Sequence, residues 1–355
     1  MNSKKISNAK GAFLVALITM TNSYAPLPAN RVGRGVWVAD LAALCLALLL
    51  SYFLTSACDR ACDAPFYGVL QNATGRFGAI ALGCVLIIIT LLTAVVSLTV
   101  FSRFVQITAL PQTPQIIIPG LLIIIAALMS SDELMASGGA AWLLFWFSAC
   151  VFLLFVLSGA GKVEPRLFLP YGRASEMFIA SGEVFLNRFG ILPMLMAVYT
   201  RMSEQKTRKK FFLTSLAGAG GALAVISAIT VATLGEKLSE TDFYPVYSAM
   251  SIHSVGGFIR HTEIFACITM TVSLFFKGAV GLMFSEDMIN GIFGIERRRG
   301  VSLPLALIAA ASTQLIYAGV PSLRGLLEWK SGAIVMLLIN VTIPILLFVK
   351  SKKTS

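Results

Sequence analysis

Charge is scarce in this sequence. Asp, Glu, Lys and Arg make up 13% of its 355 residues, whereas a soluble domain carries about 25% charged residues. No long polar block interrupts the apolar segments, so a second soluble domain is not expected. Histidine occurs only twice, no cysteine pair has the companions of a zinc site, and no nucleophile–histidine–acid set is visible. We therefore expect no enzyme active site, no metal and no cofactor.

Apolar residues are abundant instead, at 57% of the chain. A membrane-spanning helix needs roughly 20 mostly apolar residues, so there is room for about ten spans. We predict one all-α membrane domain over residues 1–355. Its ten transmembrane helices are placed near residues 11–30, 36–56, 77–101, 115–129, 140–158, 176–200, 211–234, 257–284, 301–320 and 332–349.

The charges that are present are mostly basic, with 28 Lys and Arg against 17 Asp and Glu. They form short runs beside apolar segments, as in cytoplasmic loops, and this pattern argues against nucleic-acid binding. The strongest run, Arg201 to Lys210, and the C-terminal lysines then share one side, so we predict cytoplasmic termini. The first apolar run could also be a cleaved signal peptide. We favour a retained span because Pro26 directly follows the plausible cleavage point.

The segment from Gly11 to Asn30 begins as an apolar helix and then becomes polar, with Pro26 and Pro28 directly behind. Broken backbone at membrane depth is tolerated only where protein or a water-filled cavity satisfies its N–H and C=O groups. This interruption therefore predicts a cavity, and a cavity inside a helix bundle predicts a ligand.

A second interrupted segment runs from Glu176 to Thr200, where Gly182, Gly190 and Pro193 separate two apolar pieces. It could lie in the membrane interface, but a crossing places the following basic run in the cytoplasm. The interruptions begin the two halves of the chain, near residues 11–160 and 174–349. Matched interruptions indicate two five-helix inverted repeats with discontinuous helices 1 and 6, the LeuT-like arrangement. The alternative is a proline-kinked packing helix at each place.

Three stretches resemble the spore germination permease family, the B-type subunits of nutrient germinant receptors in the amino acid–polyamine–organocation superfamily. They are the stretch from Ile6 to Leu50 with PLP and GRGVWVADLAALCLALLL, the LPQTP motif at Leu110, and the stretch from Phe243 to Leu282. The chain departs from the family pattern at Arg260, which is three residues before Glu263, and at Lys10, where a Gln is common.

This resemblance implies a ten-helix bundle that binds a small nutrient, often an amino acid, between unwound helices 1 and 6. It also implies A-type and C-type partner subunits, the spore inner membrane as location, and signalling rather than clear solute transport. A secondary transporter that moves an amino acid with an ion is the alternative that we keep open.

A bound amino acid needs donors for its carboxylate and acceptors for its ammonium. The N-termini of half-helices and unwound carbonyls supply these groups. The predicted ligand-binding residues lie at the two interruptions: Thr19, Thr21, Asn22, Ser23, Ser181, Gly182 and Glu183. For each of them singly, an ordinary hydrogen bond between helices is the alternative.

Ionisable side chains inside a membrane are costly and are functional candidates by default. We assign Lys277, Glu263 and Arg188 as gating or structural charges. Glu263 is about 21 Å from Lys277 along an ideal helix, so Glu183 is the nearer candidate partner of that lysine. Asp40 is expected to reach water near the end of its span.

Overall fold

The structure is a computed structural model that describes residues 5–24, 27, 32–61, 64–108, 110, 112–114, 116–129, 139–160, 173–242, 244–252, 263–294, 301–319 and 330–351. Regular structure in these ranges is helical, apart from one isolated parallel bridge between Ile6 and Met202. The predicted all-α class is therefore confirmed for the described part of the chain.

The first half contains α1 Asn8–Met20, α2 Val36–Arg60, α3 Phe66–Thr108, α4 Ile117–Met129 and α5 Gly139–Ala160. A 3₁₀ turn at Thr21–Tyr24 follows α1, and a second one at Gly33–Gly35 precedes α2.

The second half begins with α6 Ala174–Val184, a π-helical turn at Phe185–Phe189 and α7 Leu192–Tyr199. It continues with α8 Gln205–Leu234, α9 Glu236–Thr241, α10 Pro245–Ile252, α11 Glu263–Phe293, α12 Ser302–Gly319 and α13 Lys330–Lys350.

Six helices in the described ranges are long and apolar enough to cross a membrane: 33–60, 66–107, 141–159, 174–199, 205–234 and 264–293. Shorter apolar helices cover 117–128, 303–316 and 336–350. These nine segments coincide with the predicted second to tenth spans, while the count of ten and the repeat remain predictions. The predicted start of the eighth span, at Gly257, lies outside the described residues.

Two local features differ from the expectation. α3 is longer than its predicted span because a separate helical piece precedes a kink at Gly75, whose φ is 75°. Glycine tolerates a positive φ because it has no Cβ. Between the predicted seventh and eighth spans, residues 236–241 and 245–252 form the short helices α9 and α10. Ala249 and Met250 of α10 are buried, so packing stabilises a helix too short to persist alone.

The interrupted segments lie inside the bundle. α1 packs most extensively against α8 and also contacts α5 and α11, while α6 and α7 pack against α2. Most of α1 is consequently buried, including Leu14, Val15 and Ile18, and a helix that is buried on most sides can be apolar all round. α4, by contrast, exposes Leu121 and Leu128, which suits a lipid-facing surface.

Candidate functional site: a buried polar network between two interrupted helices

The first interruption begins where α1 ends at Met20. The hydroxyls of Thr19 and Thr21 donate to carbonyls of their own helix, those of Val15 and Leu17, at 2.8 and 3.1 Å. The backbone tightens into the 3₁₀ turn Thr21–Tyr24. The polar residues predicted here are all buried, with at most 6% exposure: Thr19, Thr21, Asn22 and Ser23.

The second interruption is the π-helical turn Phe185–Phe189 with the turn at Gly190 and Ile191. A Cβ at Gly190 would lie 2.5 Å from the carbonyl oxygen of Leu186, so this close backbone approach excludes any side chain. Pro193 is the second residue of α7, in the first turn, where its missing N–H costs no helical hydrogen bond. A π-helical turn inside an α-helix is frequent at functional sites.

Asn22 joins the two interruptions. Its Nδ2 donates to the carbonyl oxygen of Arg188 in the π-helical turn at 2.8 Å. Its Oδ1 accepts from the Nζ of Lys277 on α11 at 2.9 Å, and the same ammonium donates to the Oγ of Ser97 on α3 at 2.8 Å. A single amide therefore links both interrupted helices to a lysine buried in a third helix.

The side chain of Arg188 extends the network to α2 and α8. Its Nη1 is 3.2 Å from Oδ1 of Asp40, and both side chains are at most 2% exposed. Its Nη2 donates to the Oγ of Ser227 at 2.8 Å, and that hydroxyl donates to the carbonyl of Leu223. Charges removed from water to this degree persist only when they are paired. We call the following residues the buried polar network: Asn22, Asp40, Ser97, Arg188, Ser227 and Lys277.

Two small cavities lie near the interruptions, and one of them borders the buried polar network. One of about 10 Å³ lies beside Gly190, Thr90 and Met194, and another of about 10 Å³ lies beside Lys277 and Ser97. Each has room for about one water molecule.

Part of the predicted site sits elsewhere. Ser181, Gly182 and Glu183 lie in the regular helix α6, ahead of the π-helical turn, and are half-buried. The hydroxyl of Ser181 donates to the carbonyl of Met177 at 2.8 Å. A Cβ at Gly182 would meet nothing within 4 Å, so no close packing requires glycine there.

The three charged residues predicted from the sequence do not all belong to the buried polar network. Arg188 and Lys277 join the buried polar network, but Lys277 donates to Asn22 and Ser97 rather than to Glu183, the partner suggested by the sequence. The backbone of Glu263 begins α11, and its side chain lies outside the described residues.

Three members of the network were not among the predicted site residues: Asp40, Ser97 and Ser227. Asp40 was expected to reach water, yet its side chain is 1% exposed because α6 and the π-helical turn cover it. No pattern in the sequence indicated that Ser227 would belong to the site. Ser97 belongs to a helical stripe with Thr90 and Thr93, a pattern that could have identified it.

A second set of polar contacts closes the end of the bundle where α1 begins, which we call the N-terminal face. Ile6 exchanges backbone hydrogen bonds of 2.9 Å with Arg201 and Ser203. The Nδ2 of Asn8 donates to the carbonyl of Glu204 and to the Thr207 hydroxyl, at 3.0 and 2.7 Å.

Two ion pairs lie at the same face, within the basic run that the sequence assigned to a loop. Arg201 is 2.8 Å from Asp287 on α11, and Arg208 is 2.8 Å from Asp59 on α2. The hydroxyl of Tyr199 also donates to Asp59 at 2.7 Å. The N-terminus, the α7–α8 connection and α11 are therefore tied together here.

Comparisons with known proteins relate this arrangement to one family and one fold. The family model described as "Spore germination protein" matches residues 5–321. Spore germination protein KB of Bacillus subtilis (strain 168) is 19% identical over 314 residues, which cover 86% of this chain and 84% of the relative.

Among solved structures, the manganese transporter of Eremococcus coleocola in complex with an aromatic bis-isothiourea compound superposes with a TM-score of 0.61 at 14% identity. The match covers 96% of this chain and 76% of the transporter. A variant of that transporter gives a TM-score of 0.60 at 13% identity, covering 96% and 78% of the two chains. At such identities the likeness shows a shared transporter fold and nothing further.

Proposed function

The chain belongs to the spore germination protein family, and we propose that it is the multi-pass membrane subunit of a nutrient germinant receptor. The nutrient is a small molecule, an amino acid, bound between the two interrupted helices. The observation that carries this proposal is Asn22, which joins the Arg188 carbonyl of one interruption to the ammonium of Lys277.

The charges of the buried polar network complement those of an amino acid. The Lys277 ammonium matches a carboxylate. Asp40 matches an ammonium, because neither of its buried oxygens meets hydrogen-bond geometry with a described donor, although Arg188 is 3.2 Å away. Buried sites that hydrogen-bond a polar ligand discriminate strongly against analogues that lack the matching group. We therefore expect both the carboxylate and the ammonium of the ligand to be required.

We infer that the contacts within the buried polar network change when the nutrient binds. The cavity beside Lys277 and Ser97 holds about one water, so we expect an amino acid to bind there once the contacts of Asn22 and Lys277 separate. A ligand that binds the separated state better shifts the population toward it. That shift is the signal passed to partner subunits.

The residues predicted from the sequence remain part of the proposed ligand-binding site. Thr19, Thr21 and Ser23 surround Asn22 at the first interruption, where they become ligand donors and acceptors in the separated state. In the second interrupted helix, the ligand contacts the last part of α6 directly before the π-helical turn, at Ser181, Gly182 and Glu183.

We also infer that the chain consists of two inverted repeats, near residues 11–160 and 174–349. The packing supports this inference because it is nearly unchanged when the halves are exchanged. α1 packs on α8 as α6 and α7 pack on α2, α4 contacts α11 as α12 contacts α3, and α5 contacts α8 as α13 contacts α2. A symmetric arrangement of this kind places the ligand between the repeats.

Membership of the family supports a proposal about the partners and the location of this chain. We propose that the subunit works with A-type and C-type germination receptor subunits in the spore inner membrane, with both termini in the cytoplasm. The exposed lysines Lys206 and Lys210 near the N-terminal face agree with that orientation, since cytoplasmic loops are enriched in Lys and Arg.

A secondary amino-acid and ion transporter is the second candidate function, and the fold shared with the manganese transporter favours it. We do not propose manganese as a substrate of this chain. The described residues include no group of three or more His, Cys, Asp and Glu side chains that could hold a metal ion.

The experiment is a thermal-shift screen of amino acids on the full chain in nanodiscs. The wild type is compared with Asn22→Leu and with Asn187→Leu, a matched control because Asn187 is exposed on the π-helical turn. We expect one amino acid to stabilise the wild type and the control but not Asn22→Leu. Equal stabilisation of all three proteins would place the ligand elsewhere.

A second measurement separates the two functions. Proteoliposomes containing only this chain are given the labelled amino acid together with a proton or sodium gradient. The sensor hypothesis predicts binding without accumulation, whereas accumulation against a gradient identifies a transporter.

A further inference from the structure

A long apolar groove runs along the outside of the bundle between α1, α5 and α8. Its volume is about 460 Å³, within the range of roughly 300–1,000 Å³ that is usual for ligand sites. Apart from three hydroxyl-bearing residues it is lined by small and apolar side chains. On α1 its wall extends from Ala9 to Met20 and on α8 from Phe211 to Ala222.

The length of the groove matches one leaflet of a bilayer. Eleven residues separate the ends of each wall, which is about 16 Å at the helical rise. Half of a hydrocarbon core of about 30 Å is nearly the same distance. The groove therefore extends from the N-terminal face to the level of the first interruption.

The groove is open to the surroundings on its α8 side. Thr214 and Gly218 are exposed, and a Cβ at Gly218 would meet nothing within 4 Å. Across the floor, Phe13 of α1 and Phe145 of α5 are in contact, with ring centroids 4.8 Å apart. A slot of this shape in a membrane-spanning bundle accommodates a flexible chain without polar groups.

Positive charge lies at the end of the groove near the N-terminal face. Lys206 and Lys210 are exposed and precede Thr214 and Gly218 at intervals of four residues, so they continue the groove face of α8 for two further turns. The N-terminal end of α8 also carries the partial positive charge of the helix dipole. Glu204 is the nearby acid, and its carboxylate accepts from the Thr207 hydroxyl at 2.8 Å.

We propose that the groove is a binding site for an anionic phospholipid. One acyl chain lies between α1, α5 and α8, and the phosphate is bound by Lys206 and Lys210. Basic residues beside a hydrophobic cleft between transmembrane helices bind anionic headgroups in this way. Because α1 forms one wall of the groove and Asn22 follows α1 directly, the bound lipid holds the first interrupted helix against the bundle.

The test uses native mass spectrometry on the full chain in detergent, with equimolar phosphatidylglycerol and phosphatidylcholine of identical acyl chains. We expect at least a fivefold preference for phosphatidylglycerol in the wild type. Lys206→Gln with Lys210→Gln should abolish that preference. Lys209→Gln is the matched control, because Lys209 is engaged with Ser56 at 2.6 Å and with the ring of Tyr52.

A second pair of variants tests the acyl-chain half of the site. Gly218→Phe fills the groove and should remove one bound lipid per chain, whereas Gly221→Phe should not. Gly221 has equal room for a side chain but does not line the groove. The proposal is overturned by equal retention of both lipids in the wild type, by an unchanged preference in the double lysine variant, or by retained lipid in Gly218→Phe.

Discussion

The buried polar network and the N-terminal face use the same chemistry in different surroundings. Arg188 and Asp40 are 2% and 1% exposed. At the N-terminal face Arg208 is 1% exposed, but its partner Asp59 is 34% exposed. A fully buried pair loses all hydration, so removing one partner leaves a charge that nothing compensates. Where one partner reaches water, as Asp59 does, solvent compensates part of its charge, and loss of the pair should cost less.

This difference assigns different tasks to the two regions. A conformational change in the network must leave no buried charge unpaired. The charged groups of a ligand can replace a partner that a buried side chain loses when the network opens. At the N-terminal face the pair of Arg201 and Asp287 is also largely buried, at 8% and 13% exposure, whereas Asp59 can exchange contacts with water. We therefore expect the ligand to act at the network and the contacts of Asp59 to be exchanged more easily.

The largest expected effect is at the buried ion pair. Asp40→Leu leaves the guanidinium of Arg188 unpaired, and the free energy of unfolding should fall by about 3–5 kcal/mol. Thermal unfolding in detergent measures this loss. The double variant Asp40→Leu with Arg188→Met should recover much of it, because no isolated charge remains. A single variant that melts like the wild type would contradict the comparison.

Lys277→Met should affect the ligand response more than stability. The substitution keeps the apolar stem and removes hydrogen bonds to Asn22 and Ser97. Since it also removes the cost of burying a charge, the net change in stability should be within about 2 kcal/mol. The amino-acid thermal shift should disappear, while it persists in Lys209→Met. A normal shift in Lys277→Met would exclude this lysine from the site.

An intermediate effect is expected at Tyr199. Tyr199→Phe removes the hydroxyl that donates to Asp59 at 2.7 Å, but Arg208 remains bound to that carboxylate. We expect a loss of about 1 kcal/mol, the usual net contribution of one hydrogen bond. Tyr52→Phe is the control, because that ring is 47% exposed. Equal melting temperatures for the two variants would show that the Asp59 contact does not stabilise the protein.

The smallest effect is expected at the surface pair of Arg34 and Glu236, whose side chains are 33% and 36% exposed at 3.3 Å. Arg34→Gln should change stability by about 0–1 kcal/mol, and added salt should reduce the difference further. Unfolding at low and high salt checks this. A loss as large as that of Asp40→Leu would show that burial is not what separates the two kinds of pair.

The sequence predicted the interruptions more accurately than the residues that matter within them. Polar residues ahead of Pro26 correctly indicated the end of α1. In the second segment Gly182 was taken as part of the break, although it lies in regular helix. Gly190 is the glycine that the backbone requires, because a Cβ there would meet Leu186. A sequence contains glycines of both kinds, and only the path of the neighbouring backbone distinguishes them.

The partners of the charges were not predictable in the same way. Lys277 and Arg188 were recognised as candidates because charge is costly within a membrane. Asp40 was misjudged because its position near a helix end suggested water, while the packing of α6 against α2 removed that water. Such desolvation depends on segments more than a hundred residues away in the chain.

By itself, the sequence determined the membrane class, the positions of most helices and the places where two of them are interrupted. These features depend on local chemistry: apolar runs long enough for a bilayer, and residues that weaken or break helical hydrogen bonding. Only the tertiary structure decided that Asn22 would meet Lys277 and that Arg188 would meet Asp40. A buried polar group has no solvent to satisfy it, so its partner is whatever distant helix the packing of the bundle brings within reach.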